Sequence, residues 1–364
     1  MKFSCERAGL LKGIQTVQNV VSDKGALPIL SNVLIEAQEG LLRFTATDLE
    51  LGIQCSVDAD VQKEGAITVP SRTIGDIIRE LPDGMIEVEL ARGNWLHLRC
   101  GKIFFKIIGL PKDEFPKLPE VSGEENFTLP QEKIRAMIRR TSFAVSREES
   151  RYALGGIFLT LDSKKMVVVA TDGRRLAKYE GETGADIAAN MILPAKAARE
   201  LNRIMVDTKG DVKIWIGENE ARFEFDSVMF IARFLKGVFP EYEKVIPKKH
   251  EARVTISGQD MRDAVRRVAL LTSESSHSIK ITVQDGKITF ASSTAEKGEA
   301  SEEMDVDYKG EEKVMAFNPS YIMDFLKVED FEKVHFDIID SVSPAVLRPE
   351  GDERYLYVVM PVKV

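Results

Sequence analysis

The chain has 364 residues, of which 44% are hydrophobic and 30% are charged. This length is typical of two or three domains, and the composition excludes a disordered or fibrous protein. The formal net charge of -8 at pH 7 argues, taken alone, against a nucleic-acid partner, because phosphate binding usually goes with a basic excess.

The cysteines and the N-terminal segment indicate the compartment. The chain has three cysteines, an odd number, and they form no CxxC motif: Cys5, Cys55 and Cys100. This argues against a disulfide scaffold and against a structural zinc site. The N-terminus is charged within its first residues, and no apolar stretch in the sequence approaches the length of a membrane span. We therefore predict a cytoplasmic protein that is mature as translated.

The predicted elements, taken in chain order, repeat three times. A short strand followed by an amphipathic helix begins at Phe3, Phe127 and Val254, at spacings of 124 and 127 residues. A second strand and helix follow in each repeat, starting at positions 66, 190 and 314. Between them, Thr-Asp pairs at 47–48 and 171–172 keep the spacing of 124 residues, and the third copy diverges. One period shared by three blocks predicts three domains of similar fold, with Pro-rich, charged junctions at 111–126 and 239–251.

Each repeat is predicted to run strand, helix, several strands, helix, several strands. Apolar and polar residues alternate over 84–100 and 212–226, and a turn sequence interrupts each stretch, as in antiparallel hairpins. Few helices and many strands indicate an α+β fold in which helices cover one face of antiparallel sheets.

The predicted helices carry a charge opposite to that of the chain. They cover residues 6–20, 71–81, 131–142, 194–205, 259–272 and 319–327 and have a summed formal charge of +7, which leaves -15 for the remainder. Basic side chains also share faces at helical spacing, at Arg135 and Arg139, at Lys196, Arg199 and Arg203, and at Arg262 and Arg266. Two interpretations stay open: ordinary solvated faces, or a recurrent basic surface.

Motifs for catalysis are scarce, and we expect neither a cofactor nor a metal. The histidines at 97, 250, 277 and 335 lack metal-ligand spacing, and the sequence contains no phosphate-binding glycine loop and no GxSxG motif. The sharpest candidate is Asp172, which stands beside Arg174 and Arg175 in ATDGRRLA. A hydrolase or phosphotransferase centre is one interpretation of this motif, and a turn in which the aspartate caps the backbone is the favoured one.

Six segments together resemble one family. They are MKFSCER at the start, ALPILSN at 26–32, RYALGG at 151–156, ATDGRRLA at 170–177, FPEYEKVIP at 239–247 and YLYVVMPVKV at the end. In this order and spacing the chain resembles the bacterial sliding clamps, the β subunits of DNA polymerase III.

The resemblance implies an architecture and a function. It implies three tandem clamp domains at 1–122, 123–247 and 248–364, with antiparallel sheets outside and two helices per domain inside. Two copies would form a closed head-to-tail homodimer around double-stranded DNA, with no catalytic activity. Implied partners are replicative and repair DNA polymerases, the clamp loader and other proteins with short clamp-binding peptides. The alternatives are a peptide-binding scaffold without a DNA role and the hydrolase centred on Asp172.

The resemblance also implies roles for individual residues. Those expected near DNA are Lys24, Arg72, Arg147, Arg151, Tyr152, Lys196 and Arg203. Those expected at the dimer interface are Phe105, Ile107, Leu270 and Leu271. The peptide groove, between the second and third domains, would be lined by Leu154, Thr171, Gly173, Arg174, Arg175, Leu176, Pro240, Lys244, Val245, Asn318, Tyr321, Val342, Pro344, Val358, Met360 and Pro361. The family pattern differs at Ala153, Arg174, Lys244 and Pro344, where an aromatic residue, His, Arg and Ser are common, so the groove's shape and affinity are open.

Overall fold

The structure of this chain is a computed structural model that describes residues 1–21, 27–119, 121, 126–205, 209–272 and 277–362, with the side chain of Glu149 left aside. The chain divides into two units. The first unit comprises Met1–Ile134 and Arg199–Phe234, and the second comprises Arg135–Ala198 and Leu235–Val364. Within the described ranges, no helix is long and apolar enough to cross a membrane.

The described residues form six α-helices and 25 strands, joined in places by short 3-10 turns. The helices are α1 (Arg7–Val17), α2 (Ser71–Glu80), α3 (Gln131–Thr141), α4 (Ala195–Ile204), α5 (Gly258–Val268) and α6 (Pro319–Leu326). The strands of the first repeat are β1 (Lys2–Glu6), β2 (Asn32–Gln38), β3 (Leu41–Thr47), β4 (Leu51–Asp58), β5 (Asp60–Lys63), β6 (Gly65–Pro70), β7 (Met85–Leu90), β8 (Trp95–Cys100) and β9 (Ile103–Ile108). Those of the second are β10 (Asn126–Pro130), β11 (Gly156–Asp162), β12 (Lys165–Thr171), β13 (Arg175–Glu182), β14 (Ala189–Pro194), β15 (Asp211–Ile216), β16 (Glu220–Phe225) and β17 (Val228–Arg233). Those of the third are β18 (Ala252–Ser257), β19 (Ile279–Gln284), β20 (Lys287–Thr294), β21 (Gly298–Asp305), β22 (Lys313–Phe317), β23 (Lys333–Ile338), β24 (Ala345–Pro349) and β25 (Tyr355–Val359).

The strands pair antiparallel, and each repeat contributes to two sheets. The first unit contains a sheet of order β5-β1-β7-β8-β9 and one of order β10-β15-β16-β17-β4-β3-β2-β6. The second unit contains a sheet of order β14-β11-β12-β13-β25-β24-β23-β18 and one of order β21-β20-β19-β22. The three repeats therefore share one topology, apart from the additional strand β5, and the predicted α+β fold is confirmed.

Two of these sheets are each assembled from neighbouring repeats. β4 of the first repeat pairs with β17 of the second, with Ile53 opposite Phe230. β13 of the second repeat pairs in the same way with β25 of the third, with Leu176 opposite Val358. The equivalent strands at the two ends of the series are β9 and β21, and in the described structure each has a neighbour on one side only.

All six predicted helices are present, and each lies within about three residues of its predicted ends apart from α5. That helix stops at Val268 and continues as a 3-10 turn, Ala269–Leu271. Residues predicted to face inward, such as Met137, Leu201 and Val265, are buried, as expected for amphipathic helices on a sheet. α1 also needs a glycine for close packing, because a Cβ at Gly13 would lie 2.4 Å from the Phe44 ring.

The segment 239–251, predicted to be a linker, is only partly exposed. Phe239 and Tyr242 are each 8% exposed, and the Phe239 ring stacks on Phe158 with the ring centroids 4.8 Å apart. The segment has the proline and charge content that is typical of a linker. Two buried aromatic side chains nevertheless fix it to the second unit, so it is not a free linker. In the other predicted junction, residues 120 and 122–125 lie outside the described ranges.

Candidate functional site

The motif ATDGRRLA forms a tight turn between β12 and β13. The Asp172 carboxylate accepts hydrogen bonds from the backbone nitrogens of Arg174 and Arg175 at 2.9 and 3.1 Å. The Thr171 hydroxyl donates to the carbonyl oxygen of Arg175 at 2.6 Å. Gly173 has a φ of +84°, which glycine adopts without strain. Asp172 organises the turn, as the capping interpretation predicted.

The first repeat builds the same turn without the arginines. The Asp48 carboxylate accepts from the backbone nitrogens of Glu50 and Leu51 at 3.0 and 2.7 Å, and the Thr47 hydroxyl donates to the Leu51 carbonyl oxygen at 2.7 Å. Because Asp48 and Asp172 make the same hydrogen bonds in the two copies, the role of the aspartate is to stabilise the turn. This argues against a hydrolase centred on Asp172.

Arg175 is a buried junction between the turn and α6. Its side chain is 8% exposed and bonds to the carboxylates of Asp172 at 3.0 Å and Asp324 at 2.6 Å, while its Nη2 donates to the Phe143 carbonyl oxygen at 2.9 Å. Burial disfavours the charged guanidinium, but Tyr357 and the hydrogen bond to Asp324 outweigh burial and raise the pKa of Arg175. The Arg175 guanidinium therefore stays charged. Its donors are used in these contacts, so Arg175 stabilises the site and has little capacity left to bind a ligand.

A cavity of about 290 Å³ opens beside this junction. Its lining residues are Val145, Ser146, Arg147, Glu148, Asp172, Arg174, Arg175, Ser320, Tyr321 and Asp324. Three of these were predicted as peptide contacts, and Arg147 was predicted as a DNA contact. A hydrogen bond to Tyr321 raises the pKa of the exposed Arg174. The sequence analysis missed Asp324, although its position one helical turn after Tyr321 is a usable signal. It also missed Val145, Ser146 and Glu148, for which the sequence carries no signal.

An apolar cluster lies behind the turn. Its buried members are Val169, Leu176, Ile192, Phe239, Tyr242, Val346, Leu356 and Val358, and Ala153, Leu154 and Ile246 pack against it while partly exposed. Leu176 and Val358 are each 2% exposed. The prediction that these two residues line the groove therefore needs correction. Their side chains are buried beneath its surface, so neighbouring side chains would make the contacts with a peptide.

Several predicted peptide contacts reach solvent. Val245, Val342 and Met360 are 49%, 67% and 39% exposed, and the backbone nitrogen of Met360 donates to the carbonyl oxygen of Arg174, a lining residue of the polar cavity, at 2.9 Å. Pro240 and Lys244 are exposed as well, and Pro344 and Pro361 are half-buried. Thr171 and Gly173 belong to the turn. Asn318 is the N-cap of α6, and its side-chain oxygen accepts from the Ser320 nitrogen at 2.9 Å, so that oxygen is already engaged.

The residues predicted near DNA differ in how available they are. Arg72 and Arg147 are exposed, Tyr152 is 57% exposed, and Lys196 is half-buried. Arg151 is exposed but engaged, since its Nη1 donates to the Asp172 carbonyl oxygen at 2.8 Å and its Nε lies 3.0 Å from Glu148. Lys24 lies outside the described residues.

Arg203 has a structural role that its helical spacing did not reveal. Its guanidinium donates to the carbonyl oxygens of Gln15 and Thr16 at 3.0 and 2.8 Å and to Glu200 at 2.7 Å. Those carbonyls are in the last turn of α1, where the helix supplies no donors of its own. The prediction of Arg203 as a direct DNA contact is therefore corrected: in this structure it caps α1.

Ion pairs neutralise much of the basic charge on the helices. Arg262 pairs with Asp330 at 3.0 Å and Arg266 with Asp263 at 2.8 Å, and the remaining pairs are Arg79–Asp76, Arg139–Glu329, Arg140–Glu329 and Arg267–Glu302. Arg72 and Arg199 are exposed and form no ion pair with any residue the structure describes. The recurrent basic surface thus rests on fewer residues than the charge count suggests.

The two terminal strands carry complementary side chains. On β9, Ile103, Phe104 and Ile108 are 40%, 46% and 49% exposed, beside Lys102 and Lys106. β21 has the sequence GEASEEMD and presents glutamates along an edge strand. Of the predicted interface residues, Phe105 and Ile107 on β9 and Leu271 are half-buried, and Leu270 is 74% exposed. Ile103, Phe104 and Ile108 were not among the predicted interface residues, which were alternate positions only, although the sequence IFFKII is apolar apart from Lys106.

No catalytic or metal centre emerges from the geometry of the described residues. Among them, no three His, Cys, Asp or Glu side chains are placed to hold a metal ion. The three cysteines are buried free thiols. The features that remain are a polar cavity, an apolar cluster, a few exposed basic helix residues, and the edge strands β9 and β21, which within the described ranges lack the partner that their equivalents in the other repeats have.

Comparisons with known proteins agree over the whole chain. Three family models match in order: the N-terminal domain of the DNA polymerase III beta subunit over residues 1–119, its central domain over 128–241 and its C-terminal domain over 243–363. The beta sliding clamp of Chlamydia pneumoniae is 34% identical over 366 residues, covering 100% of this chain and 99% of that protein. A sliding clamp from Pseudomonas aeruginosa bound to griselimycin has a TM-score of 0.96 at 34% identity and full coverage of both chains. The DNA polymerase sliding clamp from Bacillus subtilis has a TM-score of 0.96 at 27% identity, covering 100% of this chain and 99% of the other.

Proposed function

This chain belongs to the DNA polymerase III beta subunit family, and from that premise we propose that it acts as a sliding clamp. Two copies close into a ring around double-stranded DNA and tether the replicative polymerase and other partners. The predicted family is confirmed, and the chain is a processivity subunit without catalysis of its own. We propose a cytoplasmic location because the DNA that such a ring encircles lies there.

The observation that best supports a closed ring is that β9 and β21 each have a neighbour on one side only among the described strands. Inside the chain, two kinds of edge strand pair twice between neighbouring repeats, β4 with β17 and β13 with β25. β4, β13 and β21 are equivalent to one another, and so are β9, β17 and β25. β21 is the strand of the first kind and β9 the strand of the second kind that have no such partner within the described part of the chain. An exposed edge strand invites pairing, and a head-to-tail contact of unlike edges closes a ring when the rotation allows it. Two copies then make six equivalent joints.

The side chains of these edges support pairing of unlike strands. Lys102, just before β9, and Lys106 on it would meet Glu299 of β21, whereas two β21 edges would repel each other. The other two glutamates of β21, Glu302 and Glu303, already pair with Arg267 and Lys287. The apolar residues of β9 would be buried in the same contact. We place the domain boundaries at 1–122, 123–247 and 248–364, a division supported by the three family-model ranges.

Retention on DNA tests the ring directly. We expect the protein, loaded onto a nicked circular plasmid by a clamp loader, to co-elute with the plasmid in gel filtration at about 0.5 M salt, where phosphate contacts are screened. Linearising the plasmid should release almost all of it, because retention is topological. Equal retention on both DNA forms would contradict the ring, and no retention on either, with peptide binding intact, would favour a scaffold without a DNA role.

We propose that a set of mostly basic residues contacts DNA phosphates without reading bases. Arg72, Lys196 and Arg199 lie on helices, and Arg147, Arg151 and Tyr152 lie on the segment between α3 and β11. Lys24 is proposed as well and lies outside the described ranges. Arg203 has a supporting role, because it caps α1. Such contacts are weak, salt-sensitive and independent of sequence, which suits a ring that must slide.

Charge reversal of Arg72 and Arg199 should weaken binding to linear duplex DNA. We expect Arg72→Glu with Arg199→Glu to raise the dissociation constant at least about tenfold at low salt and to flatten its salt dependence. Fluorescence anisotropy over a salt series measures both. Arg43→Glu with Arg92→Glu is the matched control, since both side chains are exposed away from the helices, Arg43 on β3 and Arg92 in the turn between β7 and β8, and it should bind nearly as the wild type does. Equal loss in the two proteins would mean that net charge alone, and no particular face, governs binding.

We propose that partner peptides bind across the apolar groove and the polar cavity. The groove offers the exposed Val245, Val342 and Met360 over a floor of Leu176 and Val358, and the cavity offers Arg147, Arg174 and Tyr321 for orientation. Apolar pockets with a few placed polar groups are typical of peptide sites. The griselimycin-bound relative supports a ligand site on this fold.

A further inference from the structure

A second cavity, of about 180 Å³, lies in the same unit as the peptide groove. Its lining residues are Pro247, Lys248, Lys249, His250, Arg253, Asp337, Ile339, Val346 and Arg348. Four of these side chains are permanently basic and one is acidic. A local excess of positive charge is notable in a chain of net charge -8.

The single carboxylate in this basic cavity is already fully engaged. Asp337 is 5% exposed, and its two oxygens accept from Nε and Nη2 of Arg253 at 2.6 and 2.8 Å. This bidentate pair is the strongest arrangement a guanidinium and a carboxylate can form. Asp337 thereby neutralises one basic side chain and leaves Arg348 and the two lysines.

Arg348 is only loosely paired. Its Nε lies 3.7 Å from Asp337, beyond hydrogen-bond distance, and this buried nitrogen finds no hydrogen-bond partner among the described residues. Its Nη1 lies 3.7 Å from Glu353, whose side chain is 81% exposed. The Arg348 side chain itself is 21% exposed, so the exposed part of its guanidinium, rather than the buried Nε, is suited to a ligand that brings an oxyanion.

The basic cavity adjoins the peptide groove in two ways. Val346 lines the cavity, belongs to the cluster beneath the groove, and pairs with Val358 of the groove floor. The chain from Val245, on the groove rim, to Lys248, on the cavity wall, is three residues, which span at most about 10 Å. An extended peptide that leaves the groove therefore reaches the cavity within a few residues.

We propose that the basic cavity binds a carboxylate side chain of partner proteins, from an acidic segment flanking the peptide that occupies the groove. This inference rests on the proposed function, since it extends the same binding site. Lys248 and Lys249 attract the acidic segment, and the exposed part of the Arg348 guanidinium donates to one of its carboxylates. A peptide carboxylate fits better than a free ion because the cavity continues an extended groove.

The experiment compares two flanks on one peptide. A groove-binding segment of the cognate replicative polymerase is extended by three glutamates or by three glutamines, at either end, and its affinity is measured by titration calorimetry at low and high salt. At one of the two ends we expect the glutamate peptide to bind about tenfold more tightly at about 0.05 M salt, as three exposed or half-buried charge pairs imply. The difference should shrink to about twofold at 0.5 M.

Variants locate the effect. Lys248→Gln with Lys249→Gln, and separately Arg348→Met, should each remove most of the glutamate advantage and leave the glutamine peptide unchanged. The matched control is Lys164→Gln with Lys165→Gln, an exposed lysine pair elsewhere on the same unit, which should keep the full advantage. Griselimycin binding by every variant serves as the check that the groove is folded.

The outcomes separate this inference from the proposed function. If glutamate and glutamine flanks bind equally at both ends, or if the control pair removes the advantage as well, the acidic-flank site is wrong while the groove stands. If no peptide binds and griselimycin does not bind either, the groove itself is wrong. Tight binding of inorganic phosphate that ignores the peptide flank would show that the cavity takes free anions, which also overturns the proposal.

Discussion

Phe104→Asp combined with Lys106→Glu is expected to convert the dimer into monomers and abolish retention on circular DNA. Phe104 is 46% exposed on β9, so the substitution costs the monomer little. At the interface it removes a buried aromatic side chain, about 2–3 kcal/mol, and it sets two new negative charges against the glutamates of β21. Together these changes should weaken dimerisation by a factor on the order of 10³ or more.

Analytical ultracentrifugation over a range of protein concentrations measures this change. Met85→Asp with Lys63→Glu is the matched control, because both residues are exposed on the same sheet but lie on β7 and on the opposite edge strand β5, away from β9. That protein should remain dimeric. Adding Glu299→Lys to Lys106→Glu should recover part of the affinity that Lys106→Glu loses. A dimer that survives the β9 substitutions would refute the proposed joint.

Arg140→Met is expected to cost the second unit about 2–4 kcal/mol of stability. Arg140 is 14% exposed and bonds to Glu329 at 2.7 Å and Asp352 at 2.8 Å, while its guanidinium lies over the rings of Tyr179 and Tyr355 at 4.8 and 5.2 Å. Removing one partner of a largely buried ion pair leaves uncompensated charges, which is among the costlier single substitutions. Arg139→Met is the control. Arg139 bonds to the same Glu329 but is 52% exposed, so its loss should cost at most about 1 kcal/mol.

The same cluster should make the second unit sensitive to acid. Burial alone would raise the pKa of Glu329 and of Asp352, but hydrogen bonds from Arg140, and from Arg354 to Asp352, outweigh burial and lower both pKa values. The unfolded chain therefore binds more protons at low pH, and this stability is present above the ordinary carboxyl pKa values, about 4, and is lost as pH falls below them. Hydrogen exchange of residues 323–331 and 350–355 between pH 3 and 7 measures the effect. Arg140→Met should flatten the pH dependence, and an unchanged slope would contradict the assignment.

Much of the candidate site could be predicted because the family motifs are local. The turn at 170–177, the segment at 239–247 and the C-terminal strand lie in one unit, and the strand after the turn pairs with the C-terminal strand. What the motifs could not reveal is which side chains reach the surface. Leu176 and Val358 are buried, and the side-chain oxygen of Asn318 caps a helix. The motifs could not predict this, because burial depends on residues that are distant in sequence and close in the fold.

The charge of the helices shows the same limit. Helical spacing predicts which residues share a face, and it placed Lys196, Arg199 and Arg203 together. It cannot predict that Arg203 reaches the last carbonyls of α1, 188 residues away in sequence, or that Glu329 neutralises Arg140 across 189 residues. A sum of formal charges therefore overstates the basic surface until the partners are known.

The sequence by itself determined the three repeats, the six helices, the main hairpins and the family, because strand alternation, helical periodicity and the repeat spacing are all local properties. The opposing charges of helices and remainder were also visible, and they explain why a net charge of -8 does not argue against DNA. Only the tertiary structure decided which strands remain unpaired at β9 and β21, which arginines are free and where the second basic cavity lies. Those features arise from contacts between residues far apart in the chain, and no local pattern specifies them.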